Sequence, residues 1–133
     1  MKYPEMKDPD WEMDIPVTPM GKPRMTRRDK WAKRKCVQKY YEFKDNIKKY
    51  CKKIPDSPRR VDWIAYLPMP KSWSKTKKES QQGRLHQSKP DRDNIDKAIL
   101  DALFKDDSMV AQGVMEKRWD DGDGARLELR VWK

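Results

Sequence analysis

Between Lys89 and Val110 the chain reads KPDRDNIDKAILDALFKDDSMV, and five of its acidic residues, Asp91, Asp93, Asp96, Asp106 and Asp107, stand in an otherwise basic protein. Lys and Arg number 32 against 22 Asp and Glu, a net charge of +10, which fits a polyanionic partner such as nucleic acid. Carboxylates repel phosphates unless a divalent cation stands between them. An acidic cluster in such a chain therefore points to a metal seat for phosphodiester chemistry.

Each residue of the cluster also has a plainer reading. Asp91 and Asp93 fall in the turn that leads into a helix, where Asp93 could act as the N-cap. Capping accounts for one aspartate and leaves the other, and the Asp106-Asp107 pair, without a role. Lys97 follows Asp93 by four residues, which allows a surface ion pair. It equally allows an ammonium beside the metal seat, where it stabilises developing charge or positions the attacking water. Neighbours on a strand point to opposite faces, so one member of Asp106-Asp107 would face the site.

The elements that must position these groups follow from periodicity. Ile95, Ala98, Ile99, Ala102 and Leu103 mark the buried face of a helix that starts after Pro90. An earlier helix is expected from Cys36 to about Lys53, with Tyr40, Phe43, Ile47, Tyr50, Cys51 and Ile54 as a core stripe and Pro55 and Pro58 as its stop. Strands are expected at Met13–Val17, where Pro16 favours a sheet edge, and at Arg60–Leu67. Two more are expected at Ser108–Trp119, interrupted at Gly113, and at Ala125–Trp132, with Asp120–Gly124 as a hairpin-like turn and not a calcium loop. Residues 1–12 read as a flexible tail and 13–133 as a single domain. The class is α+β, a small mixed β-sheet packed against two main helices.

Basic residues gather in two stretches. From Lys22 to Arg60 there are 16 Lys or Arg against 4 Asp or Glu, a local net of +12 that exceeds that of the whole chain. Within it Lys22, Arg24, Arg27 and Arg28 lie in a Gly- and Pro-broken loop whose side chains can reach a phosphate backbone. Lys71–Ser88 reads as a long polar loop that orders on its ligand, supplying Lys71, Lys75, Lys77 and Lys78, with Lys89 just beyond. His86, the one histidine, reads as a solvated loop residue. Cys36 and Cys51 are too few for a disulfide scaffold or, with His86, a structural zinc site. No apolar run is long enough to span a membrane and no signal peptide is present, so a cytoplasmic location is expected.

The acidic stretch resembles the signature of the RusA family of Holliday-junction resolvases, D-x-D-N-x-x-K-A-x-x-D-A-L followed by D-D-[SA]-x-[VI]. GKPRMTR after the first strand is similar to that family's basic N-terminal loop, and MPKSWSKTKK and KRW are similar to its flanking features. The likeness covers roughly Asp14 to Lys133. One departure is the short Phe104-Lys105 connection ahead of Asp106-Asp107.

The resemblance implies metal-binding carboxylates at Asp91, Asp93 and Asp107 and an active-site lysine at Lys97. Asp101, also in the motif, suits a supporting role. It further implies a homodimer that binds branched DNA and resolves four-way junctions by paired symmetric nicks with Mg²⁺, for which Mn²⁺ can substitute. Such an enzyme serves recombination and repair, or phage DNA processing, in a bacterial or phage-infected cell. The alternatives are a Mg²⁺-dependent nuclease acting on flaps, forks or RNA, and a non-catalytic basic nucleic-acid-binding protein.

Overall fold

Arg60–Leu67, an apolar-rich run stopped by two prolines, forms strand β2 with the limits expected. The structure is a computed structural model and describes residues 7–24 and 34–133. Its other strands are β1 (Trp11–Ile15), β3 (Met115–Trp119) and β4 (Arg126–Trp132); its helices are α1 (Lys35–Tyr50), α2 (Lys75–Gln81) and α3 (Arg92–Leu103). They form one mixed sheet in the order β1-β4-β2-β3, in which β4 runs antiparallel to β1 and β2 while β3 runs parallel to β2. The class is α+β, as expected.

Register makes the sheet two-faced. Met13, Leu129, Trp63 and Met115 align across the four strands, and Ile15, Leu127, Ala65 and Lys117 form the next row on the same face. Helices α1 and α3 cover this face through Tyr40, Phe43 and Ile47 and through Ile95, Ala98 and Ile99. Each fully buried isoleucine contributes roughly 2 kcal/mol by removal from water. Helix α3 is therefore fixed by its apolar stripe, which turns its polar side away from the core. Lys117 is the one charged residue in those two rows.

Several expectations need correction. Strand β1 starts at Trp11, and residues 7–10 are tied to the strand beside it: Trp132 Nε1 donates to the Lys7 carbonyl at 2.7 Å and Asp10 N to the Val131 carbonyl at 2.9 Å. The order thus reaches into the expected tail, while Pro16 falls just outside an edge strand. Helix α1 ends at Tyr50 rather than about Lys53, with Cys51 as its C-cap. The expected loop Lys71–Ser88 contains α2, capped by Ser74 Oγ, which accepts from Lys77 N at 3.2 Å. No residue of α2 is buried, so it leaves no apolar period to read.

The strand expected from Ser108 begins only at Met115. Gly113 is not a bulge but a close approach: a Cβ there would lie 2.4 Å from the Val61 carbonyl oxygen. The Asp120–Gly124 turn does not close a hairpin of paired neighbours, because β2 lies between β3 and β4. Its Asp121 forms a two-bond pair with Arg126 at 2.8 and 2.9 Å, which holds the carboxyl down to about 2. That is structural turn chemistry. No helix among the described residues is long and apolar enough to cross a membrane.

Candidate active site at the start of helix α3

Directly after Pro90, Asp91 takes the N-cap position with extended backbone (φ −66°, ψ 146°). The cap is thus Asp91 and not Asp93. Its carbonyl accepts the first helical bond from Ile95 N at 3.0 Å, yet its carboxylate makes no capping hydrogen bond. Asp93 lies in the first turn. Both carboxylates are exposed at the positive end of the helix dipole.

Asp96 follows Asp93 by one turn, half-buried, and its Oδ1 accepts from Trp63 Nε1 of β2 at 2.9 Å. Burial raises its pKa above the ordinary carboxylate value, and the charges of Asp107 and Asp93 raise it further despite the Trp63 hydrogen bond. Asp93, Asp96 and Asp107 therefore share one electrostatic neighbourhood. Asp106 is occupied elsewhere: its Oδ1 accepts from Ser108 N at 3.0 Å, and Ser108 holds its carboxyl below the ordinary value. Lys97 is exposed on the same side of α3 as Asp93, and the surface ion pair between them does not form.

Charges are paired very unevenly. Among the described residues ion pairs reach Asp101, Asp62, Glu116, Asp121, Glu128 and Glu12, and none reaches Asp91, Asp93 or Asp107. No three His, Cys, Asp or Glu side chains among the described residues are already gathered closely enough to enclose an ion. The donor chemistry nonetheless suits a hard divalent cation: Asp91, Asp93 and Asp107 have no basic partners among the described residues, and two of them, Asp93 and Asp107, oppose the ionisation of Asp96.

The turn before Asp91 is braced from two sides. Lys117 Nζ donates to the carbonyls of Ser88 at 2.6 Å and Pro90 at 2.8 Å, across the cis Lys89-Pro90 peptide. From the other side the basic loop sits on the helix start, with Lys22 N donating to the Asn94 carbonyl at 3.2 Å. A Cβ on Gly21 would lie 2.5 Å from Asn94 Nδ2, so glycine permits this contact. His86 is buried and not solvated, its ring 4.0 Å from that of Trp119. Burial and the nearby Lys117 ammonium keep its pKa below the usual imidazole value.

The expected DNA contacts divide. Lys71, Lys75, Lys77 and Lys89 are exposed and Lys78 is partly so. Lys77 lies over the Trp73 ring at 4.4 Å. Lys89 lines a groove of about 760 Å³ with Asp91, Arg92 and Lys117. Arg24 is exposed, whereas Lys22 lies 3.8 Å from Asp101 and is partly spent on it. Arg27 and Arg28 lie outside the described residues. Sequence reasoning missed Lys117, His86 and the Trp63–Asp96 bond, because each depends on residues far apart in the chain.

No curated protein matches the chain. A family profile described as endodeoxyribonuclease RusA matches residues 14–131, a span that runs from β1 through the acidic start of α3 to β4. The chain belongs to the RusA endodeoxyribonuclease family.

Proposed function

We propose that the chain is a Mg²⁺-dependent resolvase that binds four-way DNA junctions as a homodimer and cuts them by paired, symmetric nicks. Family membership carries endodeoxyribonuclease activity. The observation that carries the finer reading is that Asp107 and Asp93 both oppose the ionisation of Asp96, while Asp91, Asp93 and Asp107 have no basic partner among the described residues. Asp91, Asp93 and Asp107 would hold Mg²⁺, which when bound supplies water activation and neutralisation of the scissile phosphate. Preference for Asp107 over Asp106 is supported by its influence on Asp96 and by the capping bond that engages Asp106.

The chain's own groups do the rest. Lys97 presents a fixed positive charge one turn after Asp93, suited to charge building on the phosphate oxygens. Lys71, Lys75, Lys77, Lys78 and Lys89, with Arg24 and the neighbouring arginines, would grip the DNA backbone without reading bases, making affinity salt-sensitive and shape-directed. Two copies related by a two-fold axis would match two opposed strands of a near-symmetric junction.

The test is cleavage of a synthetic four-way junction, a flap and a linear duplex, with and without Mg²⁺ or Mn²⁺. Opposed nicks in the junction alone, and only with the cation, are expected. Equal cutting of all three substrates would replace the junction reading with a broader nuclease. Tight binding without cutting in either metal would make the chain a silent DNA-binding protein.

A further inference from the structure

We propose that Lys117 is a positioning residue for the active site, fixing the backbone of Asp91 and the direction in which its side chain leaves it, without neutralising the carboxylate; this rests on the reading of Asp91 as a metal ligand. Lys117 sits at the edge of the sheet's helix-facing side, in a row whose other members are Ile15, Leu127 and Ala65. A lysine there needs a reason, since its ammonium must find acceptors at the rim of an apolar face. The acceptors it finds are two backbone carbonyls, Ser88 at 2.6 Å and Pro90 at 2.8 Å. The second belongs to the peptide unit that joins Pro90 to Asp91. The carbonyl of Asp91 is in turn held by Ile95 N at 3.0 Å.

The planes on both sides of the Asp91 α-carbon are thereby fixed, which sets its backbone angles and the direction of its Cβ. Lys117 holds the other end of the same loop through its backbone, whose carbonyl accepts from His86 N at 2.9 Å. One residue of β3 therefore pins the stretch 86–90 at both ends. Because the ammonium is spent on carbonyls, the turn is ordered by a cation while the Asp91 charge stays available. An outer group that orients a ligand commonly affects metal affinity tenfold to a hundredfold, and Lys117 is placed to act in that way.

The experiment compares wild type with Lys117→Met, Lys117→Arg and Asp91→Asn, as full chains. Mn²⁺ affinity is measured by calorimetry without DNA, junction binding is measured in EDTA, and nicking is followed across a Mg²⁺ titration. Lys117→Met is expected to bind the junction normally but to bind Mn²⁺ roughly 10- to 100-fold more weakly. Its nicking deficit should shrink as Mg²⁺ is raised, and Lys117→Arg should recover part of the affinity. A folded Lys117→Met with wild-type Mn²⁺ affinity overturns the inference, even if Asp91→Asn has lost the metal. If Asp91→Asn binds Mn²⁺ as wild type does, the ligand reading itself fails. If neither Lys117 variant folds, Lys117 is a residue the fold requires and the positioning role is withdrawn.

Discussion

Helix α3 carries aspartates at both ends, and the two ends treat them oppositely. Near its C-terminus Asp101 is enclosed by partners: the Tyr40 hydroxyl donates to Oδ2, Lys44 Nζ lies 3.0 Å away and Lys22 Nζ 3.8 Å. Burial works against its ionisation, but these donors outweigh it and hold the carboxyl below the ordinary value. At the N-terminal end Asp96 is pushed the other way, by burial and by Asp107 and Asp93. One residue type on one helix thus meets two opposite electrostatic settings. A carboxylate given cations by its own fold joins two helices and the basic loop, while carboxylates left without them would, on the proposed reading, take a cation from solution.

The largest effect expected from breaking this contrast is at Asp93. Asp93→Asn should reduce junction nicking by at least about 10³-fold, several kcal/mol of barrier, with junction binding retained. Asp101→Asn, at the other end, should keep measurable cleavage but lose about 1–2 kcal/mol of stability through its weakened donors, read by denaturant unfolding. If Asp101→Asn abolished cleavage in a folded protein, the two ends would not differ in purpose.

Next in size is Lys97. Lys97→Ala should lower turnover roughly 10²- to 10³-fold, as loss of a charge-stabilising donor does, with fold and Mn²⁺ affinity near wild type. Unaltered turnover would reduce it to a surface lysine. A smaller effect belongs to α2: Lys75→Ala with Lys77→Ala should flatten the dependence of log affinity on log salt by about two. An unchanged slope would remove α2 from the DNA contact.

The smallest effect separates the two ends by pH. The pKa of Asp101 is lowered on folding, so its stabilisation is present above the unfolded carboxylate pKa and is lost as pH falls through the folded value. The pKa of Asp96 is raised, so the folded state holds its proton more tightly and stability falls as pH rises from the unfolded value through the folded one. Unfolding curves from pH 3 to 7 should show Asp101→Asn losing part of the acid-side decline, whereas Asp96→Asn gains relative to wild type on the neutral side. Changes of the same sign in both variants would contradict the contrast.

What the sequence made legible was whatever repeats locally. The apolar steps of Ile95, Ala98, Ile99 and Ala102 placed α3, and the strand-forming run Arg60–Leu67 with the prolines after it placed β2. The acidic signature marked the candidate site for the same reason, its members being close in the chain. What stayed hidden depends on distant residues meeting. Lys117 with Pro90, Trp63 with Asp96 and Tyr40 with Asp101 are tertiary pairs that no local pattern encodes. Helix α2 stayed hidden because it buries nothing, and the order of strands because turn chemistry at Asp120–Gly124 does not say which neighbour a strand will choose.

Strands β2 and β3 lie side by side in parallel, and residues 68–114 form the connection between them. Asp91, Asp93, Lys97 and Asp107 all lie inside that connection, which makes the candidate site a closed loop rather than a surface shared among remote segments. Closing a loop of this length costs entropy before any contact rewards it, so parallel pairing is a slow step of folding. Lys117 cannot grip the turn before Asp91 until β3 has docked. On refolding, competence for metal should therefore arise together with burial of Trp63 at the β2–β3 seam and not ahead of it. A partly folded chain would already carry its positive charge and adhere to DNA, but would not yet cut it.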